Sequence, residues 1–82
     1  MSRARRTYHS VLASAGVVPF RDLQQLLGRL GFELDRVSGS HHIYVHPNVP
    51  RPLNVQSIGK DTKPYQVRQL RDMIVEFGLK VD

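Results

Sequence analysis

The sequence contains no cysteine, so neither a disulfide bond nor a thiolate zinc site can stabilise the fold. Histidine is the only soft metal ligand left, and a reducing cytoplasmic environment fits this composition. Long apolar runs are also missing: residues 11–18 are interrupted by Ser14 and Gly16 and are too short for a membrane span or a signal peptide. We therefore expect a soluble, cytoplasmic protein that makes no contact with membranes.

Acidic residues are scarce, with 7 Asp and Glu against 12 Lys and Arg, which gives a net charge of +5. The first twenty residues carry arginines and no acid, and residues 51–82 carry six basic side chains against four acidic ones. The positive electrostatic field of this charge distribution favours an anionic partner, and nucleic acid is the commonest partner of this kind. Charge runs of this kind are nevertheless most often solvated surface, so charge alone does not decide the function.

The length of 82 residues predicts one small domain with a thin core and at most two packed layers. Residues 1–18 show no sustained hydrophobic periodicity, and their Ser, Gly and Arg content predicts a flexible N-terminal arm, either a loose segment or a frayed helix. We therefore expect the folded domain to cover residues 19–82. No internal repeat or low-complexity run is present.

Two segments have the periodicity of amphipathic helices. Pro19 opens the first, in which Phe20 and four leucines form a stripe up to Leu30 before Gly31 ends the helix. Pro64 opens the second, which runs to a probable cap at Gly78.

Between these helices the pattern predicts strands. Residues 32–37 form the first, the Ser38-Gly39 turn leads into a second that begins near His41, and residues 53–56 form a third. Pro47, Pro50 and Pro52 should end the second strand in a stiff loop. The resulting α-β-β-β-α order predicts an α+β domain in which two helices cover one face of a three-stranded antiparallel sheet and leave the other face open.

Three of the four histidines lie within residues 39–46, in the second predicted strand. Histidine exchanges a proton near neutral pH without special tuning, so this stretch is the first candidate for chemistry. Alternation places His41 on one side with Ile43 and Val45, and His42 on the other with Tyr44 and His46. The apolar pair Ile43 and Val45 predicts that the first of these sides faces the core.

Three segments carry a resemblance to a known family: Leu-Leu-Gly-Arg-Leu-Gly-Phe-Glu-Leu at 26–34, Val-Ser-Gly-Ser-His-His-Ile-Tyr at 37–44 and Lys-Pro-Tyr-Gln-Val-Arg-Gln-Leu at 63–70. In this order and spacing they resemble the HicA toxins of bacterial and archaeal toxin-antitoxin systems, over about residues 20–79. The resemblance implies a double-stranded-RNA-binding-domain-like fold and a metal-independent ribonuclease that cuts messenger RNA. It also implies a HicB-type antitoxin as partner, and it assigns the catalytic histidine to His41.

The sequence departs from the family at one point. Many relatives carry Pro-x-His on the third strand, where this chain has Val55-Gln56-Ser57, so a second histidine from that strand is absent.

Metal-free cleavage of RNA requires a base that takes the proton of the 2′-hydroxyl and an acid that gives a proton to the leaving 5′-oxygen. It also requires groups that stabilise the negative charge on the phosphate oxygens. We assign the proton transfer to His41, with His42 and Ser40 as possible assistants, and we expect no metal and no cofactor. The residues expected to bind RNA or phosphate are Gly39 and Ser40 at the turn, Tyr44 as a stacking platform for a base, and the cations Lys60, Lys63 and Arg68.

Each assignment has a simpler alternative. Without the resemblance, His41 is typical of a histidine that caps a loop, and Ser40 of an ordinary turn residue. His42 and His46 could share a metal with a third ligand, although two histidines on one strand are more often solvated. Tyr44 could equally pack on a neighbouring strand. A non-catalytic RNA-binding module and a small domain that receives a partner protein on its open sheet face also stay open.

Overall fold

A computed structural model describes residues 2–14 and 16–81. The described elements are three helices and four strands, namely α1 (Arg3–Ala13), α2 (Phe20–Arg29), β1 (Glu33–Ser38), β2 (His41–His46), β3 (Val49–Ile58), β4 (Asp61–Thr62) and α3 (Pro64–Phe77). The strands form one antiparallel sheet in the order β1-β2-β3-β4. The predicted α+β class is confirmed, with one more strand and one more helix than expected.

Helix α1 lies where the sequence predicts a flexible arm. Ser2 caps the helix by accepting a hydrogen bond from the Arg5 backbone N–H at 3.2 Å. Its buried face consists of Ala4, Thr7 and Val11, and the Tyr8 hydroxyl donates to the Leu79 carbonyl at 3.1 Å. The prediction of a loose arm is therefore wrong for this helix. A face made of one alanine, one threonine and one valine does not stand out as an apolar stripe.

Helices α2 and α3 form as their patterns predict. Leu23, Leu26 and Leu27 of α2 are fully buried against the core, and Pro64 occupies the first turn of α3. Gly78 ends α3 in the left-handed conformation, where its N–H donates to the Ile74 carbonyl.

Strand β3 is longer than predicted and contains two of the prolines. It begins at Val49 and ends at Ile58, instead of covering residues 53–56 alone. Pro50 and Pro52 lie where the pairing with β2 shifts between Tyr44↔Leu53 and His46↔Val49. Proline has no N–H to give to a sheet, and it is tolerated where the regular ladder is interrupted. Strand β2 ends at His46, directly before Pro47, as predicted. The expected stiff loop through Pro50 and Pro52 is wrong, because these two prolines lie in an irregular stretch of strand.

The two faces of β2 are the reverse of the prediction. Tyr44 is only 6% exposed and belongs to the core, whereas Val45 is 40% exposed. The helix-covered face thus takes His42, Tyr44 and His46, and His41 lies on the open face with Ile43 and Val45. The predicted alternation of side chains along β2 is confirmed, but the face predicted to be open is the buried one. The reason is that an aromatic ring such as that of Tyr44 buries as much apolar area as an aliphatic side chain.

Candidate functional site

His41 is the first residue of β2 and is exposed. It lies directly opposite Ser38 of β1 and Gln56 of β3, so three strands meet around it. Its Nδ1 is 3.1 Å from Oδ1 of Asn54 on the same face. An amide oxygen only accepts hydrogen bonds, so of the two neutral tautomers this contact fits the one with its proton on Nδ1 and its lone pair on Nε2. In that tautomer the imidazole lies on the open face with Nε2 available to accept a proton.

The turn before His41 consists of Gly39 and Ser40. Gly39 has a φ of 60°, a conformation that favours glycine, and it allows β1 to reverse directly into β2. The Ser40 hydroxyl accepts a hydrogen bond from Nε2 of Gln56 at 2.8 Å. Since the hydroxyl uses only a lone pair in this bond, its own proton can still be donated to a ligand.

Gln56 connects this group to helix α3. Its backbone N–H donates to Oε1 of Gln66 at 2.6 Å, and its carbonyl accepts from the Lys63 N–H at 3.4 Å. Gln66 is only 3% exposed, so this anchor is part of the protein interior. The N-terminus of α3 is consequently fixed beside the strand residue that faces His41.

The structure brings two of the three predicted cations to this end of the sheet. Lys63 is the N-cap residue directly before α3, and the Lys60 carbonyl accepts a hydrogen bond from Phe20 N at 2.8 Å. Arg68 instead lines a cavity of about 260 Å³ that also borders Thr62 and Pro64, and within residues 2–14 and 16–81 no contact joins it to His41. In the same part of the chain none of these three cations pairs with a carboxylate. Their charges are therefore available to an anion.

His42 lies on the opposite side of the sheet from His41. Its half-buried ring packs edge-on against Phe20 with a centroid distance of 5.0 Å, and its Nδ1 lies 3.3 Å from the Ser40 carbonyl. The structure does not place the two imidazoles on one face. In the described residues there is also no group of three potential metal-ligating side chains.

Tyr44 does not lie where a base could stack on it. Its ring belongs to the core cluster, and its hydroxyl accepts a hydrogen bond from Gln24 Nε2 at 3.2 Å. The expectation that Tyr44 is exposed on the open face is wrong, and the alternative of a packed tyrosine is the correct one.

Sequence reasoning missed Asn54, Gln56, Gln66 and Arg36. The first two alternate with Leu53 and Val55, a signal for a polar face on β3. Arg36 lies directly opposite Ile43 and so shares the face of His41. The register that places Asn54 and Gln56 beside β2 is not readable from the sequence, because it depends on the irregular stretch of β3.

Fold and site together define a small α+β domain of the double-stranded-RNA-binding type, with a hydrogen-bonded histidine on its open sheet face. A family model described as the HicA toxin of bacterial toxin-antitoxin systems matches residues 20–79. The chain belongs to this family, and it is a toxin whose family implies a cognate antitoxin.

Helix α1 precedes the matched region. Searches of curated proteins and of solved structures give no match. None of the helices in the described residues combines the length and the hydropathy needed to cross a bilayer.

Proposed function

We propose that this toxin is a metal-independent endoribonuclease that cleaves messenger RNA, with His41 as the catalytic residue. The observation that carries the proposal is the His41–Asn54 hydrogen bond of 3.1 Å, which favours, between the two neutral tautomers of an exposed imidazole, the one with its lone pair on Nε2. A pure RNA-binding surface needs cations and aromatic rings but no oriented imidazole.

In the proposed reaction, Nε2 of His41 takes the proton of the ribose 2′-hydroxyl. The 2′-oxygen attacks the neighbouring phosphorus, the bond from phosphorus to the 5′-oxygen breaks, and water supplies the proton for the leaving 5′-oxygen. The hydroxide left by that water then takes the proton from the His41 imidazolium, which restores the neutral imidazole. The products are a 2′,3′-cyclic phosphate and a 5′-hydroxyl end. One positioned base of this kind contributes about 10²- to 10⁴-fold to the rate.

The turn and the nearby cations provide the charge stabilisation. The backbone N–H groups of Gly39 and Ser40, with the Ser40 hydroxyl, hold a non-bridging phosphate oxygen. Lys60 and Lys63 hold flanking phosphates at the end of the sheet where α3 begins. Arg68 extends this basic surface away from His41, and His42 supports the turn through the contact of its Nδ1 with the Ser40 carbonyl at 3.3 Å.

The partner in this proposal is a HicB-type antitoxin that covers His41 and the basic surface, so the complex is inactive by occlusion. The +5 charge of the toxin favours a partner with an acidic contact surface.

The test is to incubate the purified chain with RNA in EDTA beside its His41→Ala variant. His9→Ala is a matched control, because His9 is an exposed histidine on α1. We expect cleavage by the wild type and by His9→Ala, cyclic phosphate ends in the product, and loss of cleavage in His41→Ala. Loss of wild-type cleavage on chelation would contradict the metal-free mechanism, and RNA binding without cleavage would favour a non-catalytic module.

A further inference from the structure

We infer that Asn54 is a positioning residue that fixes the tautomer and orientation of His41. The inference rests on the proposed function and adds to it a residue that the sequence analysis did not single out. Asn54 itself does not touch the reacting atoms; it acts through the imidazole.

The geometry starts from the register of the sheet. Asn54 is directly opposite Ile43, and His41 is directly opposite Gln56, so Asn54 and His41 are diagonal neighbours on the open face. The distance of 3.1 Å between Nδ1 and Oδ1 is that of a hydrogen bond. Since the amide oxygen can only accept, the bond selects the neutral form of His41 that carries its proton on Nδ1.

The consequence concerns the second ring nitrogen. A neutral imidazole with a proton on Nδ1 has its basic lone pair on Nε2, on the opposite edge of the ring. Since Nδ1 is held by a side chain of β3, Nε2 is directed away from β3 toward the solvent on the open face. A ring in the other tautomer would present an N–H there and could not accept the 2′-hydroxyl proton.

Asn54 has no competing structural task in the described residues. It is exposed, and its side chain makes no other hydrogen bond in residues 2–14 and 16–81. Asparagine is also depleted in strands, so its presence in the middle of β3 fits a requirement for its amide more than a requirement for sheet stability.

The neighbouring pair Gln56 and Ser40 performs a different task on the same face. Their 2.8 Å hydrogen bond joins the β1–β2 turn to β3, and the Gln56 backbone is held by buried Gln66. The strand that carries Asn54 is thus fixed relative to the turn that precedes His41. This rigidity is what allows one exposed amide to orient an exposed ring.

The experiment compares wild type with Asn54→Ala and Asn54→Asp. The readout independent of activity is ¹⁵N NMR of the imidazole nitrogens, which distinguishes the two neutral tautomers. We expect the Nδ1–H form in wild type, redistribution toward the Nε2–H form in Asn54→Ala, and the Nδ1–H form again in Asn54→Asp, because a carboxylate also accepts this bond. Asn48→Ala is the control, since only the Asn48 backbone N–H bonds to a histidine.

The same proteins are then assayed for single-turnover RNA cleavage. We expect the rate of Asn54→Ala to fall about 10- to 100-fold, the range for partners that orient an imidazole, with RNA affinity unchanged. Asn54→Asp should recover most of this loss, and all variants should keep the thermal midpoint of the wild type.

An Nε2–H tautomer in wild type, or a tautomer that Asn54→Ala leaves unchanged, would overturn the inference. A wild type that shows the expected tautomers but cleaves no RNA would refute the proposed function while leaving the positioning of His41 by Asn54 established.

Discussion

His46 packs directly over Gly31: the position that a β-carbon would take on Gly31 lies 2.9 Å from His46 Nε2. The histidine cannot easily move away, because Nε2 donates to the Leu30 carbonyl at 2.9 Å and Nδ1 accepts from the Asn48 N–H at 3.0 Å. Its ring also packs edge-on against Phe32 at 4.9 Å. The contact therefore joins the end of α2 to the end of β2 with a close approach that only glycine permits.

Gly31→Ala should destabilise the fold. The substitution adds a clash with a hydrogen-bonded ring and places a β-carbon at a φ of +99°, which costs on the order of 1–3 kcal/mol. Chemical denaturation of the variant measures the effect. Gly28→Ala is the matched control: nothing lies within 4 Å of its added carbon, and alanine inside a helix should stabilise by about 1 kcal/mol. Equal stability changes in the two variants would contradict the packing described here.

Tyr44→Phe tests the reversed faces of β2. Loss of the hydrogen bond with Gln24 should reduce the free energy of unfolding by about 0.5–1.5 kcal/mol, while RNA affinity stays that of the wild type. Denaturation and an RNA-binding titration measure the two quantities separately. Tyr65→Phe serves as a comparison, since Tyr65 is exposed and its hydroxyl accepts only a long hydrogen bond of 3.4 Å from Gln66 Nε2. A drop in RNA affinity without a drop in stability would show that the Tyr44 hydroxyl faces RNA and not the core.

Gln66→Leu should remove the anchor between α3 and β3. The Gln56 N–H loses its acceptor in the interior, and an unsatisfied buried group costs about 1–3 kcal/mol. Unfolding of the variant should show this loss, whereas Gln69→Leu, on an exposed position of the same helix, should change stability by less than about 0.5 kcal/mol. A Gln66→Leu protein as stable as wild type would show that water or another group satisfies this N–H.

Thr62→Val and Thr7→Val form a matched pair of buried threonines. The Thr62 hydroxyl oxygen has no hydrogen-bond partner in the described residues, so its removal should be neutral or stabilising by up to about 1 kcal/mol. The Thr7 hydroxyl donates to the Arg3 carbonyl at 3.0 Å, so the same change there should cost about 1 kcal/mol. Thermal unfolding of both variants measures the two stability changes. A Thr62→Val protein less stable than Thr7→Val would contradict the prediction.

Lys63→Gln and Lys60→Gln should weaken RNA binding if these cations hold phosphates. Each lost phosphate contact reduces the slope of log affinity against log salt by about 0.7 for single strands. Binding titrations at several salt concentrations measure the slope. Lys80→Gln is the control, because Lys80 is an exposed cation beyond the end of α3. A slope that changes equally in all three variants would indicate a general charge effect and no local site.

The helices could be predicted from the sequence because their apolar residues repeat at helical spacing and proline and glycine mark their ends. Helix α1 could not, since Thr7 occupies a core position and is satisfied only by a bond to its own helix. The strand that carries the three histidines could be predicted, but the orientation of its two faces could not. Tyr44 looks polar in sequence, yet it belongs to the core and its hydroxyl bonds to Gln24, while the rings of His42 and His46 pack on Phe20 and Phe32.

The residues around His41 belong to distant parts of the chain. The pairing of β2 with β3 places Gln56 and Asn54 beside His41, and the packing of α3 places Gln66 beside Gln56. Local patterns carry no information on such pairings, so the histidine could be predicted but its supporting amides could not.

Strand β3 bulges at residues 50–52, where three residues lie opposite Val45 alone. This bulge limits which changes in chain length the toxin can tolerate. Since side chains alternate across a strand, deleting Pro50 or Pro52 in a way that shifts the pairing of residues 53–56 with β2 by one position would turn Leu53 and Val55 to the face of His41 and bury the amides. Such a deletion spares every polar residue yet removes the amides from the face of His41, so the proposed site depends on the length of this proline-bearing segment as well as on the imidazole.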